Sequence, residues 1–541
     1  TMDGMRKCLA AEFTNIDVFH LRGNARTSGE QRRKEGGNAF DQGSRAPVAI
    51  TLLTLNKSKS GPARIRFHDV GDYLSREEKL SRVATFSSMA GIAGQNRWTL
   101  ISPDEHGDWL SQREKSFEAL VPLGDKDNRD TGALFENFSL GVVTNRDAWC
   151  VNASREMVLS NVRTLVGTYN AERERFAALN KSFDNVASRG AFVDDFVLVD
   201  PARISWTRAL KQELGRGAEI KHDASRATIS VYRPFTRQWL YFDRKLNEMV
   251  YQMPRLFPAG QENLVIGVTG GTNRGEFTTI MTDKLPSLHM ADINGAQYFP
   301  RWLFEEPQAE GGLFGGNGGG PARRDSITDV GLKHFTDAYP GQAITKDDLF
   351  YFVYGVLHSP DYRARYADNL RRQLPRMPIL KGAEDFWAFV EAGRKLGDLH
   401  VNYDTVERYP VSIGEGDLRL ANIGDPVSYF RVEKMKFAGK RPKLDKTSVI
   451  YNPRITITNI PLAAYDYVVN GKPALEWVME RQCVSTDPAS GIVNDANAYA
   501  NETVGDPRYP FDLFCRLITV SLETMKIVKA LPALDVREVT P

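Results

Sequence analysis

Residues 47–56 read Pro-Val-Ala-Ile-Thr-Leu-Leu-Thr-Leu-Asn, a β-branched and almost wholly apolar run. A strand with one wet face alternates apolar and polar residues. This run does not alternate, so it is expected to be a strand buried on both faces. Such a strand needs paired neighbours and covering helices, which points to an α/β sheet. Residues 15–22 (NIDVFHLR) read as a second short strand, and a polar, glycine-rich, basic stretch over 23–46 joins the two. A helix is expected ahead of both, over Met5–Phe13, already under way where the sequence opens. The pattern is expected to be the end of an α/β sheet, in a piece of a longer polypeptide.

At 541 residues the chain exceeds one compact core, and roughly three or four units are expected. Helices are predicted over 75–86 and 155–180. Between 187 and 305, short runs (AFVDDFVLVD, ATISVYRPF, QWLYFD, NLVIGVTGG) alternate with turns, predicting a mixed or antiparallel β region. Residues 306–325 (EPQAEGGLFGGNGGGPARRD) have the composition of a flexible linker. Helices follow over 327–400. Thr345 is placed to cap KDDLFYFVYGVL, Ser359-Pro360 to end it, and Pro360 to occupy the first turn of DYRARYADNLRRQL. Strands return over 405–470 (TSVIYN, RITITNI), then helices over 473–484 and 511–530. The expected fold class is α/β and α+β multidomain. Segment boundaries are set at 1–185, 186–305, 306–326, 327–400 and 401–541.

The formal net charge is only +2, so overall charge does not announce a polyanionic partner. Its distribution says more: residues 1–66 carry twelve Lys/Arg against six Asp/Glu. That excess suits a phosphate backbone and equally a solvated basic surface. The four cysteines, Cys8, Cys150, Cys483 and Cys515, lack CxxC spacing, which speaks against a structural zinc site or a disulfide framework and fits a reducing cytoplasm. No apolar run of membrane-spanning length occurs, and the first residues have no signal-peptide pattern. There is no GxxxxGK[ST] phosphate loop, no HExxH and no Pro-Pro pair. Gly267-Val-Thr-Gly-Gly-Thr-Asn-Arg274 follows a strand without opening a clear helix, and reads as a β-turn rather than a cofactor loop. His68, His106, His289, His358 and His400 are dispersed and read as core or surface residues.

Two stretches carry candidate binding residues. The segment 21–45 offers Arg22, Arg26, Arg32, Arg33, Lys34 and Arg45 among glycines. Guanidinium forks bind phosphate bidentately, and glycines let a backbone approach closely. Glu30 and Glu35 would offset part of that charge on a merely solvated loop. The segment 232–255 offers Arg233, Arg237, Gln238 and Arg255, where arginine can reach guanine and glutamine adenine. Phe235, Trp239, Leu240 and Phe242 of the same stretch read as core. A third stretch, Thr144–Trp149, reads as a turn locked by an Arg–Asp pair.

Long blocks resemble the Type ISP restriction–modification enzymes. They include LRGNARTSGEQRRKEGGNAF (21–40), HDVGDYLSREEKL (68–80), FSLGVVTNRDAW (138–149), YRPFTRQWLYFD (232–243), VYQMPRLFP (250–258), FYFVYGVLHSPDYRARYADNLRRQLPRMP (350–378) and YDYVVNGKPALEWVMERQCV (465–484). The resemblance implies a chain that reads double-stranded DNA beside the upstream domains of the same polypeptide. The first 185 residues would end a Rossmann-like N6-adenine methyltransferase. The rest would be a target-recognition region, β-rich at first and then backed by helices. The family's catalytic and cofactor motifs lie upstream, so no catalytic residue, metal or cofactor is assigned to this chain. S-adenosylmethionine, ATP and Mg would serve the parent enzyme, which methylates adenine N6 and cleaves unmethylated DNA after ATP-driven translocation. The competing expectation is a protein-interaction or scaffold module without DNA specificity.

Overall fold

The computed structural model describes residues 2–26, 29–40, 43–59, 61–125, 132–269, 276–292, 294–305, 322–416, 418–419, 423–440 and 443–537. The chain divides into two compact units. One runs to Glu118 and includes Arg365–Asn369; the other spans Ala119–Ala364 and resumes at Leu370.

The first unit begins with helix α1 (Met2–Glu12) and strand β1 (Asn15–Arg22). A seven-residue helix, α2 (Gly29–Glu35), stands inside the stretch expected to be loop. Strands β2 (Val48–Thr54) and β3 (Arg64–Asp69) follow, then helices α3 (Arg76–Phe86) and α4 (Met89–Gly94), and strand β4 (Thr99–Ile101). Ser75 starts α3 through a capping box with Glu78. The sheet order is β2-β1-β3-β4. β1 and β3 run parallel and the other pairs antiparallel. Phe19, Leu21, Val70, Leu74 and Ile92 form the core.

The expectation for residues 47–56 is corrected here. β2 is a strand, but an edge strand that pairs only with β1, and Ile50 and Leu52 are 47% and 48% exposed. The apolar run specifies the strand. It does not specify that its cover comes from the same unit.

Among its described residues the second unit holds three four-stranded sheets. In the first, Thr279–Thr282, Val265–Thr269, Ala296–Pro300 and Ser139–Leu140 lie side by side, antiparallel throughout. The second places Ala227–Arg233 and Thr236–Tyr241 between Leu285–Pro286 and Val151–Asn152. The third orders Ser412–Glu415, Ile455–Thr458, Lys443–Asn452 and Lys436–Lys440. One continuous apolar core joins the last two sheets to the helices Arg155–Ala177 and Tyr509–Lys529, both expected. This is a mixed α+β architecture of several small sheets.

Thr345 caps Lys346–His358 as expected, with Asp348 completing a capping box. That helix packs on Ala383–Val401 at backbone distance. A Cβ at Gly393 would lie 1.9 Å from the Tyr351 carbonyl oxygen, and one at Gly355 would lie 2.2 Å from that of Phe389. Only glycine allows this approach.

Three other expectations change. AFVDDF belongs to the helix Val186–Phe196, not to a strand, because Asn185 caps it and Phe192, Phe196 and Val193 turn onto Phe176 and the core at helical spacing. DYRARYADNLRRQL is not one helix; it breaks at Tyr366 between Pro360–Arg365 and Ala367–Leu370. The last four residues of the expected linker, Ala322–Asp325, pair antiparallel with Trp302–Glu305. The remainder, 306–321, lies outside the described residues, as does 270–274 of the Gly267–Arg274 stretch.

Candidate nucleic-acid interface

The basic segment of the first unit is cinched at its ends. Arg22 adopts φ 56° as β1 ends; its Nε donates to Asp69 at 2.7 Å, and Nη1 also pairs with Asp72. Burial alone would raise the Asp69 carboxyl, but hydrogen bonds from His20, Arg22 and the Gly71 amide hold it well below the usual carboxylate range. Lys79 is fully buried on α3 and donates to the carbonyls of Glu35 and Gly37, each at 2.6 Å. Burial pushes its pKa down, while Glu35 favours the charge. Gly36 sits at φ 66°, where a Cβ would lie 2.0 Å from the Leu74 carbonyl oxygen. The Asn38 side chain ties the carbonyls of Gly23 and Ala46 together.

Between these anchors lie the candidates. Arg32 donates to the Gly36 carbonyl at 2.6 Å and Lys34 is half-buried, whereas Arg26, Arg33 and Arg45 are exposed. Arg22 and Arg32 therefore shape the segment, and the exposed three are the ones presented outward.

In the second unit a two-residue turn, Pro234-Phe235, joins Ala227–Arg233 to Thr236–Tyr241. Proline first and a left-handed residue second is the pattern of a type II turn, normally completed by glycine or asparagine. Here it is Phe235 at φ 55°, held by burial against Tyr403 and Tyr467. The turn separates two arginines. Arg233 lies over the Tyr232 ring, donates to the Tyr232 carbonyl at 2.7 Å and stands 3.8 Å from Asp147. It lines a cavity of about 270 Å³ with Asp147, Tyr232, Ser230, Ser287 and His289 over a floor of Val142, Val151 and Leu240. Asp147 also accepts from the Tyr232 hydroxyl at 2.7 Å and from Thr144. His289 brings a buried Nδ1 without a hydrogen-bond partner. This cavity is thus a small pocket of mixed apolar and polar lining, with a carboxylate beside a guanidinium.

Arg237 turns the other way. It pairs with Asp404 at 2.5 Å, donates to the Val401 carbonyl at 3.0 Å and lies 3.8 Å from Asp283. Burial works against its charge, and Tyr403, Asp404 and Asp283 outweigh burial, so its pKa is raised. Gln238 is 5% exposed, beside Asn494. Arg255 is exposed on the short helix Met253–Leu256. The structure thus ties Arg237 to Asp404 and buries Gln238, sets Arg233 at the same side-chain exposure as Arg237 but on the wall of the cavity, and leaves Arg255 exposed.

The Thr144–Trp149 turn is corrected in detail. Thr144, not Arg146, holds Asp147, while Arg146 is 3% exposed and donates inward to Thr207. Sequence reasoning placed Asp147 and Arg233 in separate stretches and missed their convergence. The only available signal was that each lies beside a turn. His358 and His400 are buried core residues, and His68 packs among Phe19, Phe86 and Trp98. Among the described residues no group of His, Cys, Asp and Glu could hold a metal ion. None of their helices is long and apolar enough to cross a membrane.

Residues 133–513, well over half of the chain, match the family model of the Type ISP C-terminal specificity domain. The chain belongs to that family. Solved structures agree along nearly the whole chain, two of them of Type ISP restriction–modification enzymes. A nuclease-deletion mutant of LlaGI, in complex with a DNA substrate mimic, matches at 36% identity and a TM-score of 0.81, over 99% of this chain and 45% of that one. LlaBIII bound to DNA matches at 31% identity and a TM-score of 0.81, over 99% and 32%. The DrdV–DNA complex matches at 30% identity and a TM-score of 0.78, over 98% and 49%. The Type ISP chain described here thus spans less than half the length of each of these relatives. No curated protein matches it.

Proposed function

We propose that this chain supplies sequence-specific recognition of double-stranded DNA within a Type ISP restriction–modification enzyme. The observation that carries the reading is the specificity-domain match over 133–513, in a chain that over 99% of its length follows Type ISP structures solved with DNA or a DNA mimic. Residues upstream in the same polypeptide would supply N6-adenine methylation from S-adenosylmethionine and the ATP- and Mg-dependent translocation that precedes cleavage. The first unit would close the methyltransferase sheet. Its parallel β1–β3 pair and the uncovered apolar strand β2, which a continuing sheet or its helices would cover, support that assignment. On this reading Arg26, Arg33 and Arg45 meet phosphate, Arg233 and Arg255 remain the arginines able to reach bases, and Arg237 and Gln238 hold the fold behind them.

Selection from a randomised duplex library tests it. The expected result is enrichment of one asymmetric sequence and binding that weakens steeply with salt, because neutralised phosphates release counterions. Equal affinity for every duplex, or no affinity for any, would overturn the proposal and leave a protein-interaction module.

A further inference from the structure

The third sheet of the second unit ends in a lysine-rich hairpin. Residues 436–446, KFAGKRPKLDK, contain five basic residues and one acidic. The hairpin pairs Lys436–Lys440 with the first part of Lys443–Asn452. Its root is fixed in the core through Val449 and Tyr451. Beyond the root the strand Lys443–Asn452 has no buried residue until Val449, so the hairpin stands out as a ribbon. The register skips from Phe437↔Val449 to Ala438↔Asp445, leaving 446–448 bulged, and such a bulge bends a ribbon away from its sheet.

Lys446 belongs to the fold. It pairs with Glu476 at 2.8 Å and lies over the rings of Phe437 and Tyr465. Asp445 is occupied by the Thr447 amide and hydroxyl. Lys436, Lys440 and Lys443 are exposed and have no ion-pair partner among the described residues. Lys440 and Lys443 are direct cross-strand partners, and Lys436 stands on the same strand as Lys440. Like charges placed directly opposite destabilise a hairpin. Gly439, at φ 80°, brings the strands close beside that pair; a Cβ there would lie 2.8 Å from the Lys443 carbonyl oxygen. The ribbon therefore carries a built-in repulsion that an external anion would relieve.

We infer that the paired strand ends Lys436–Lys440 and Lys443–Lys446 form an arm that lies against the phosphate backbone of duplex DNA, with Lys436, Lys440 and Lys443 neutralising phosphates. The inference rests on the DNA-recognition reading and assigns this arm affinity rather than sequence choice. A two-stranded ribbon matches the width of a major groove, and lysine serves phosphate as a flexible point charge.

The test compares the 541-residue chain with its K436Q/K440Q/K443Q variant by fluorescence anisotropy on a mixed-sequence duplex across salt concentrations, with K446Q as a second variant. Each phosphate contact contributes about 0.9 to the slope of log K against log salt, so the triple variant is expected to lose roughly 2–3 from that slope. It should lose it on cognate and unrelated duplexes alike, with a melting temperature no lower than that of the parent. K446Q should lower the melting temperature and leave the slope within one unit. A parent chain that binds and a triple variant with an unchanged slope would overturn the ribbon's role alone. A parent chain that does not bind any duplex would overturn this inference together with the reading beneath it.

Discussion

Arg237 is the residue whose substitution best separates a reader of bases from a support of the fold. If it read guanine, Arg237→Ala would cost about 1–3 kcal/mol of binding and relax preference at one position. Its surroundings point elsewhere. The guanidinium and Asp404 are 15% and 12% exposed, and the arginine also satisfies the Val401 carbonyl. Truncation would leave the Asp404 carboxylate largely buried without its ion-pair partner, and its Oδ1 has no hydrogen bond among the described residues. Removing one member of a buried pair costs about 3–5 kcal/mol, most of it the desolvation of the charge left behind. At about 2 °C per kcal/mol for a large domain, the melting temperature should fall by roughly 6–10 °C. The double variant Arg237→Met/Asp404→Leu should recover most of that loss, since the stranded charge is gone. Thermal melts and a base-by-base binding profile check both quantities. An Arg237→Ala protein with an unchanged melting temperature and relaxed preference at a single base pair would refute the reasoning.

Two further perturbations follow from the core. His358 and His400 are buried against Tyr354, Tyr467 and Thr524; burial first, and Arg363 second, push both below the ordinary histidine value, His400 to about 3. As the pH falls through about 6.5, the unfolded chain takes up protons that the folded chain refuses, so stability drops, by about 2 kcal/mol per histidine between pH 7 and pH 5. Urea midpoints at those two pH values should show it, and a flat profile would contradict the burial argument. Gly393→Ala should cost about 2 kcal/mol or more by forcing the Lys346–His358 and Ala383–Val401 helices apart, whereas Gly167→Ala, with open space around it on Arg155–Ala177, should add up to about 1 kcal/mol. Parallel denaturant titrations check the pair, and equal effects at the two glycines would be inconsistent with backbone contact.

The sequence was most legible where one local signal determines one local structure. NIDVFHLR is β1, Thr345 and Asp348 cap their helix, and the runs at 227–233 and 236–241 are the two central strands of their sheet. It was least legible where the outcome depends on a partner distant in the chain. AFVDDF has strand-like composition, yet the packing of Phe192 and Phe196 on Phe176 decides for helix. Arg233 and Arg237 are four residues apart, and nothing local says that one meets Asp147 and a cavity while the other meets Asp404, 167 residues away.

The same logic accounts for one feature that local reading misjudged and one that it left undescribed. β2 is apolar on both faces and half exposed; the basic ribbon sets Lys440 directly opposite Lys443, with no ion-pair partner for either lysine among the described residues. Neither is stabilised by the unit that carries it: one exposes leucines to water, and the other sets Lys440 against Lys443. An exposed apolar strand gains free energy only when something apolar covers it, and facing lysines gain it only when anions approach. The chemistry of each cost thus specifies what must come from outside: a protein surface against β2, and a phosphate backbone against the ribbon. Salt therefore separates them, since raising it should weaken whatever the ribbon holds and leave an apolar contact at β2 intact or tighter.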